Sequence, residues 1–403
     1  MATPPRIALI ADTRSSYVRG VIAGIASYGQ DFGPWSYRLY TDPLDTGMPK
    51  LLRADRVDGV LARVHLPRIG RELAKLGVPV VDLKEEVPIA GIPQIVANDR
   101  AVVRMALDHL IERGLRSIAF IGLRGVRYSE IRRRYLVELC RERASDLKSG
   151  PSGGKACPHT LLLDDTSKAA NVETIVGDWI DAIPKPFGLI ACNDVWASLA
   201  LRACQARGID VPEQVAVVGV DDDLIYCQLS VTALSSVDPN TFKIGYQAAA
   251  MLHGMMKGTL RPPPLTYVDP AKVVARRSTD MLAFADTDVV SMVRYVRDHA
   301  CDGLTVGGMV KKLGFSRRTI ERLFAEHVGH SPSHEISRVR LAKVQELLLR
   351  TDIGLEEIAR TAGFAYTETL RRAFKARFGL APGEYRLQKR PKGRALAPRR
   401  SGR

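Results

Sequence analysis

Two kinds of apolar pattern divide the chain of 403 residues. Between residues 6 and 278, short unbroken apolar runs alternate with stretches whose apolar residues recur every three or four positions. The runs are RIALIAD (6–12), DGVLARV (58–64), VPVVDL (78–83), RSIAFIGL (116–123), HTLLLDD (159–165), FGLIACND (187–194) and VAVVGVDDD (215–223). Such runs fit strands buried on both faces, and the stretches between fit helices near 100–113, 130–143, 195–207 and 242–257. This βαβ rhythm predicts an α/β domain with a parallel sheet. About 270 residues exceed one comfortable core, so two lobes are expected.

The second pattern is a near-repeat. GFSRRTIERLFAEHVGHSP runs from Gly314 to Pro332, and GFAYTETLRRAFKARFGLAPGEYR from Gly363 to Arg386. Before the first stand Val306, Met309, Val310 and Leu313. Before the second stand Leu355, Ile358, Ala359 and Ala362. Both sets have the i, i+3, i+4, i+7 spacing of one helical face. Gly-Phe then breaks each helix, and a second helix follows with Ile320, Leu323 and Phe324, or Leu370, Ala373, Phe374 and Phe378, as its apolar face. Ser316 is placed to cap the first of these, and Gly329 and Gly379, each followed by a proline, stop them. Each repeat therefore predicts a helix-turn-helix, near 304–329 and 353–379, joined by an apolar-striped helix over 336–349.

Charge sharpens this division. The net formal charge is +15, and residues 286–403 hold 24 Lys/Arg against 13 Asp/Glu. Part of that excess lies in the Pro/Gly-punctuated tail 389–403, which lacks periodicity and predicts disorder. The rest lies on the outward face of the second helix of each repeat: Arg317, Arg318, Glu321 and Arg322, then Thr367, Glu368, Arg371, Arg372 and Lys375. A helix fits the major groove, where Arg reads guanine and Glu accepts from cytosine, while flanking cations hold phosphate. Double-stranded DNA is the expected partner of this third of the chain.

In the α/β part, polar residues gather where strands end: Asp12, Asn193-Asp194 and Asp221-Asp222-Asp223. Ligands of open parallel sheets bind at those ends, and carboxylates and amides there suit a polyol. No phosphate loop, dinucleotide fingerprint or nucleophile elbow is present, so no catalytic residue and no cofactor is assigned. His327, His330 and His334 straddle a helix end and read as structural rather than metal ligands. The six cysteines form no C-x-x-C pair and read as free thiols. No apolar run spans a bilayer and MATPPRIALIAD lacks signal-peptide features, so a cytoplasmic, nucleoid-associated protein without membrane contact is expected.

Ile358-Ala359, Gly363-Phe364, Phe374-Lys375, Gly379, Pro382 and Tyr385-Arg386 resemble the signature of the C-terminal domain of the AraC/XylS family of bacterial transcription regulators. Members fold this region as seven helices with two such units. By position, Arg318, Glu321 and Arg322 match the first recognition helix, and Thr367, Glu368 and Arg372 the second, Glu368 departing from a position that is commonly neutral. The α/β part resembles the periplasmic-binding-protein-like sensor of the LacI/GalR regulators. Tyr17-x-Arg19, GVDDD (219–223), ALSSVD (233–238), IGYQAAAMLH (244–253), RRSTD (276–280) and RDHACDGL (297–304) resemble the sugar regulators that join these two domains, those for D-xylose in particular. The resemblance implies a sensor over 1–285, a DNA-binding domain over 286–388 and a homodimer on operator half-sites. It also implies RNA polymerase as a partner and activation of xylose-utilisation genes. Asp12, Tyr17, Arg19, Arg133 (flanked by Arg132 and Arg134), Asn193, Asp194, Asp221 and Asp222 are the sugar-site candidates it gives. Residues 150–155 read as a loop insertion. Another pentose, a hexose or a sugar acid remains an alternative ligand, and a sugar-acting enzyme with an accessory DNA-binding domain an alternative class.

Overall fold

The computed structural model describes residues 3–41, 52–53, 55–86, 88–147, 158–164, 171–281 and 287–389. The loop read at 150–155 and the tail beyond 389 lie outside them. The chain divides into two compact units between Met281 and Leu282.

The first unit holds two six-stranded sheets. The first is ordered β11-β5-β4-β3-β1-β2, with β1 Arg6–Ile10, β2 Ser36–Tyr40, β3 Gly59–Ala62, β4 Val80–Asp82, β5 Gln94–Ala97 and β11 Leu265–Val268. The second is ordered β12-β10-β9-β8-β6-β7, with β6 Ile118–Arg124, β7 His159–Asp164, β8 Phe187–Ala191, β9 Val215–Val220, β10 Ser235–Asp238 and β12 Lys272–Val274. All pairings are parallel except β10 with β12. β3, β8 and β9 are buried along their whole length, because helices cover both faces of a parallel sheet.

Each sheet builds one lobe, and the chain crosses between them three times. It leaves β5 for helix Asp99–Ile111, leaves β10 for helix Thr241–Met256, and leaves β11 for β12. The crossings are tied together. The Asn98 amide donates to Val268 O (2.8 Å), Asn98 Nδ2 to Asp269 Oδ1 (2.8 Å), and the Ala271 amide to Asp238 O (2.9 Å).

In the first lobe, helix Ser16–Phe32 packs against Thr241–Met256 with almost no side chain between them. A Cβ on Gly24 would fall 2.0 Å from Phe242 O, and one on Gly245 1.8 Å from Val21 O. Glycine is required at both crossings.

The second unit contains seven α-helices among the described residues: Thr287–His299, Val306–Leu313, Arg317–Leu323, Pro332–Arg350, Leu355–Thr361, Thr367–Phe378 and Pro382–Lys389. Two apolar clusters serve the two halves. Met309, Ile320 and Phe324 belong to one, and Ile358, Leu370, Phe374 and Tyr385 to the other. Among the described residues no helix is long and apolar enough to cross a membrane.

Candidate functional site

A cavity of about 150 Å³ lies in the first unit, between the strand ends of its two sheets. The first lobe contributes Ser15 and Tyr17 after β1, Arg63 after β3, Lys84, Glu85 and Glu86 after β4, and Ala97 at the end of β5. The second lobe contributes Asn193 after β8, Asp221 after β9, Asp99, and Tyr128 with Arg132 from helix Arg127–Glu142. A wider mouth, bordered also by Arg14, His65, Asp194 and Tyr226, leads into it. A cavity of this volume admits one six-membered ring.

The charges in its wall nearly cancel in pairs. Lys84 meets Glu86 at 2.7 Å, and Arg132 meets Asp99 at 2.7 Å. Arg127 on the second lobe reaches across to Glu85 on the first, through its backbone oxygen and its carboxylate. Arg63 and Asp221 remain, and neither has an ion-pair or side-chain hydrogen-bond partner among the described residues. The Arg63 guanidinium lies over the Tyr17 ring at 5.4 Å and its buried Nε is unbonded. Burial pushes the Asp221 carboxyl up to about 6, against the pull of the Arg132 and Arg63 guanidinium groups. Asp221 and Asp222 also hold φ of 112° and 48°, so the loop that presents them is strained. Burial lifts the Tyr17 phenol to about 12, which keeps it a neutral donor.

The candidates from the sequence divide three ways. Tyr17, Asn193 and Asp221 line the cavity. Asn193 does two jobs: its Oδ1 accepts from the Trp196 amide as a helix cap (3.2 Å), and its Nδ2 donates to Tyr128 Oη (3.1 Å). Asp194 borders only the mouth. Its buried carboxylate accepts from Ser236 Oγ (2.6 Å) and the Asp223 amide (2.7 Å), a structural tether. A Cβ on Gly219 would lie 2.0 Å from Asp194 Oδ1, so GVDDD needs its glycine.

Asp12, Arg19, Arg133 and Asp222 stand outside the cavity wall. Asp12 is held by Arg14, whose guanidinium and amide donate to it and bring its carboxyl down to about 2. Arg19 donates to the Thr13 and Arg14 carbonyls (2.9 and 2.7 Å) and so shapes the turn before its helix. Asp222 pairs with Arg276 at 2.7 Å. Arg133 points outward, beside Glu130 at 3.3 Å, and it is Arg132 that enters the cavity. The signal for this was available: Ser129, Arg132, Leu136 and Leu139 form the buried stripe of that helix, and Arg133 is out of register with it. Arg63 follows a strand without the Asp/Asn signature of a strand-end cluster, Lys84 is a cation among ordinary loop charges beyond Asp82, and Asp99 reads in sequence as an ordinary first-turn acid. Those three had no local signal.

The second unit presents the other candidate surface. Gly314 and Gly363 both take φ of 76°, closing the tight turn of each helix-turn-helix. Ser316 Oγ accepts from the Thr319 amide (3.1 Å) as the cap of Arg317–Leu323. On that helix Arg317, Arg318, Glu321 and Arg322 are all exposed; Arg317 pairs with Glu321 (2.9 Å) and Arg322 with Glu326 (2.6 Å). On Thr367–Phe378, Glu368, Arg371, Arg372 and Lys375 are exposed, Thr367 is half-buried, and Arg371 lies 3.7 Å from Glu368. Arg318, Arg372 and Lys375 have no ion-pair partner among the described residues, so each presents a bare cation. Arg340, on the connecting helix Pro332–Arg350, donates to Ala300 O and Leu304 O (both 2.8 Å) and lies over the Phe364 ring, joining the two halves. His330 Nε2 donates to the Glu335 carboxylate at 2.9 Å, which accounts for that histidine.

Both units resemble domains of known proteins. The pattern of the periplasmic binding protein-like domain matches residues 107–279, and that of the helix-turn-helix domain matches residues 309–388. The xylose operon regulatory protein of Escherichia coli (strain K12) is 29% identical over 400 residues, covering 94% of this chain and 96% of that one. The xylose operon regulatory protein of Haemophilus influenzae is 29% identical over 389 residues, covering 95% and 98%. A solved xylose-binding transcription activator superposes with a TM-score of 0.74 at 28% identity, covering 96% and 98%. The chain is thus homologous to xylose operon regulators, and its periplasmic-binding-protein-like domain followed by an AraC-type helix-turn-helix domain makes it a DNA-binding transcription regulator that senses a sugar.

Proposed function

We propose that the cavity takes a neutral monosaccharide, D-xylose, and that the chain is a D-xylose-dependent activator of xylose-utilisation genes. The observation that carries this reading is the charge balance. Three ion pairs neutralise each other in the wall, and one guanidinium on the first lobe and one carboxylate on the second are left over. A sugar hydroxyl both donates and accepts, so a neutral polyol satisfies Arg63 and Asp221 together. A sugar acid would add a negative charge beside Asp221 and Asp99. Tyr17 and Tyr128 offer ring faces, and Asn193 and Arg132 further polar groups. Because the contacts come from both lobes, ligand binds the closed arrangement better than the open one and shifts the population towards it.

On the DNA side, Arg317, Arg318, Glu321 and Arg322 of the first recognition helix, with Thr367, Glu368, Arg371, Arg372 and Lys375 of the second, read operator half-sites. The chain acts as a homodimer, recruits RNA polymerase, carries out no turnover and works in the cytoplasm at the nucleoid. The sensor spans 1–285 and the DNA-binding domain 286–388.

Isothermal titration with D-xylose, L-arabinose, D-ribose, D-glucose and D-xylonate tests the ligand. Saturable heat with D-xylose and none with D-xylonate is expected. Preference for the aldonate sinks the neutral-sugar reading, and preference for another neutral sugar moves the assignment to that sugar while keeping the site.

A further inference from the structure

Arg276 sits six residues before the second unit begins, in the RRSTD run that the sugar and DNA sites leave unused. Its Nη2 donates to Asp222 Oδ1 (2.7 Å) and its Nη1 to Leu234 O (2.9 Å). Asp222 directly follows the cavity carboxylate Asp221, and both residues hold positive φ. The Asp222 amide donates to Ser236 Oγ, whose own proton goes to Asp194 at the cavity mouth.

The rest of the run is stitched to the same strands. The Arg276 amide donates to Ser235 Oγ (2.7 Å), and Ser235 Oγ donates to Arg276 O (3.0 Å). Ser278 Oγ donates to Val217 O on β9 (2.6 Å) and accepts from the Ser235 amide on β10 (2.8 Å). Thr279 Oγ1 lies 2.7 Å from Ser235 Oγ and 2.8 Å from His109 Nε2, and Arg113 Nε donates to Thr279 O (2.8 Å). Ser235, Ser236, Ser278 and Thr279 are fully buried. The hydroxyls leave one arrangement. Ser235 spends its proton on Arg276 O, so Thr279 donates to Ser235 and His109 donates to Thr279.

The segment by which the chain leaves the sensor is thereby fastened to β9, the strand that leads into Asp221, and to its neighbour β10. We propose that Arg276 is a positioning residue that makes the strained Asp221-Asp222 loop and the departing segment 276–281 one mechanical element. The state of the cavity carboxylate is then felt at the last residues before the DNA-binding unit. Coupling requires an element with two arrangements, and in this proposal the strained loop supplies it by keeping or releasing its partly buried ion pair with Arg276. This rests on Asp221 being a ligand group, so the test has an arm that does not need the sugar.

Amide hydrogen exchange of the full chain reads the segment directly, since the Arg276, Ser278, Thr279 and Asp280 amides are all hydrogen-bonded. Without sugar, Asp222→Asn and Arg276→Gln should each speed exchange across 276–281 at least tenfold, with Thr241–Met256 unchanged as the control for unfolding. Wild-type rates across 276–281 in both variants overturn the proposal. With saturating D-xylose, exchange there should slow in the wild type and stay unchanged in Arg276→Gln, which still gives calorimetric heat. Heat without any change at 276–281 in the wild type also overturns it. Absence of heat in the wild type is a failure of the ligand reading instead, and the sugar-free arm then decides the inference by itself.

Discussion

At the scale of the residue, Asp221 is the most informative group in the sensor. An ionised carboxylate accepts a hydroxyl's hydrogen bond more strongly than a carboxylic acid does, and burial has brought its carboxyl up to about 6. Sugar affinity should therefore be flat above pH 7 and fall as pH drops below 6, by no more than the charged hydrogen bond is worth, as titration calorimetry across pH 5–8 would register. Asp221→Asn should remove that dependence and weaken binding by about 1.5–3 kcal/mol, the worth of a charged hydrogen bond. Its effect on stability has the opposite sign. A raised folded-state carboxyl contributes stability that is full below its ordinary value near 3.8 and lost as pH rises through 6. At neutral pH the ionised group is a burden, so the Asn variant should be more stable by about 2 kcal/mol in denaturant melts. Asp221 was legible in the sequence because strand-end carboxylates announce themselves. Its counterpart Arg63 was not, because nothing local separates an arginine beyond a strand from any surface arginine. What singles Arg63 out is that the other cations of the wall have partners, a property of the assembled cavity.

Elements were legible where burial is uniform. β3, β6, β8 and β9 are continuous apolar runs and were read directly. The edge strand β2 (SYRLY) is exposed along most of its length, and β10 (SSVD) is buried through hydroxyls that the apolar pattern does not see. Helix Ser16–Phe32 is faint in the sequence for a related reason: glycines occupy its contact face, so its apolar stripe is thin. That contact face is also its weak point. Gly245→Ala, with its Cβ directed at Val21 O, should cost about 1–3 kcal/mol by overpacking. All three tryptophans (Trp35, Trp179 and Trp196) lie in the sensor, so its unfolding is read by their fluorescence. The second unit is instead read by the helical circular dichroism that fluorescence does not account for. There Glu335 is buried and accepts from Arg338 (2.6 and 2.7 Å) and His330. Burial works to raise its carboxyl, but these donors outweigh it and bring it down to about 2. Its contribution is full above the ordinary value near 4.5 and is lost as pH falls towards 2. Glu335→Gln should remove this acid-dependent step and cost about 1.5–3 kcal/mol, because it replaces a buried carboxylate that accepts charged hydrogen bonds.

For the whole molecule, the repeat matters more than either helix. One recognition helix with one or two unpaired cations among its reading residues binds DNA with little selectivity. Two such helices, whose halves are joined by Arg340, present a doubled reading surface on a single chain. The unpaired residues differ in what their loss should do. On the proposed reading Arg318→Ala and Arg372→Ala remove base-reading groups, so each should cost about 1–3 kcal/mol and relax discrimination at one position. Lys375→Ala removes a cation suited to phosphate. It should weaken binding to all sequences alike and lower the slope of log affinity against log salt by about one unit. Duplexes selected by binding from a random pool, titrated by band shift at several salt concentrations, separate the two classes. If Arg318 and Arg372 behave as Lys375 does, the exposed faces serve as an electrostatic platform and base readout lies elsewhere. If none of the three alters binding, the helix-turn-helix faces defined here are not the DNA surface. The double variant Arg318→Ala/Arg372→Ala should lose close to the sum of the single effects, because the residues lie on separate helices of separate half-cores and share no partner.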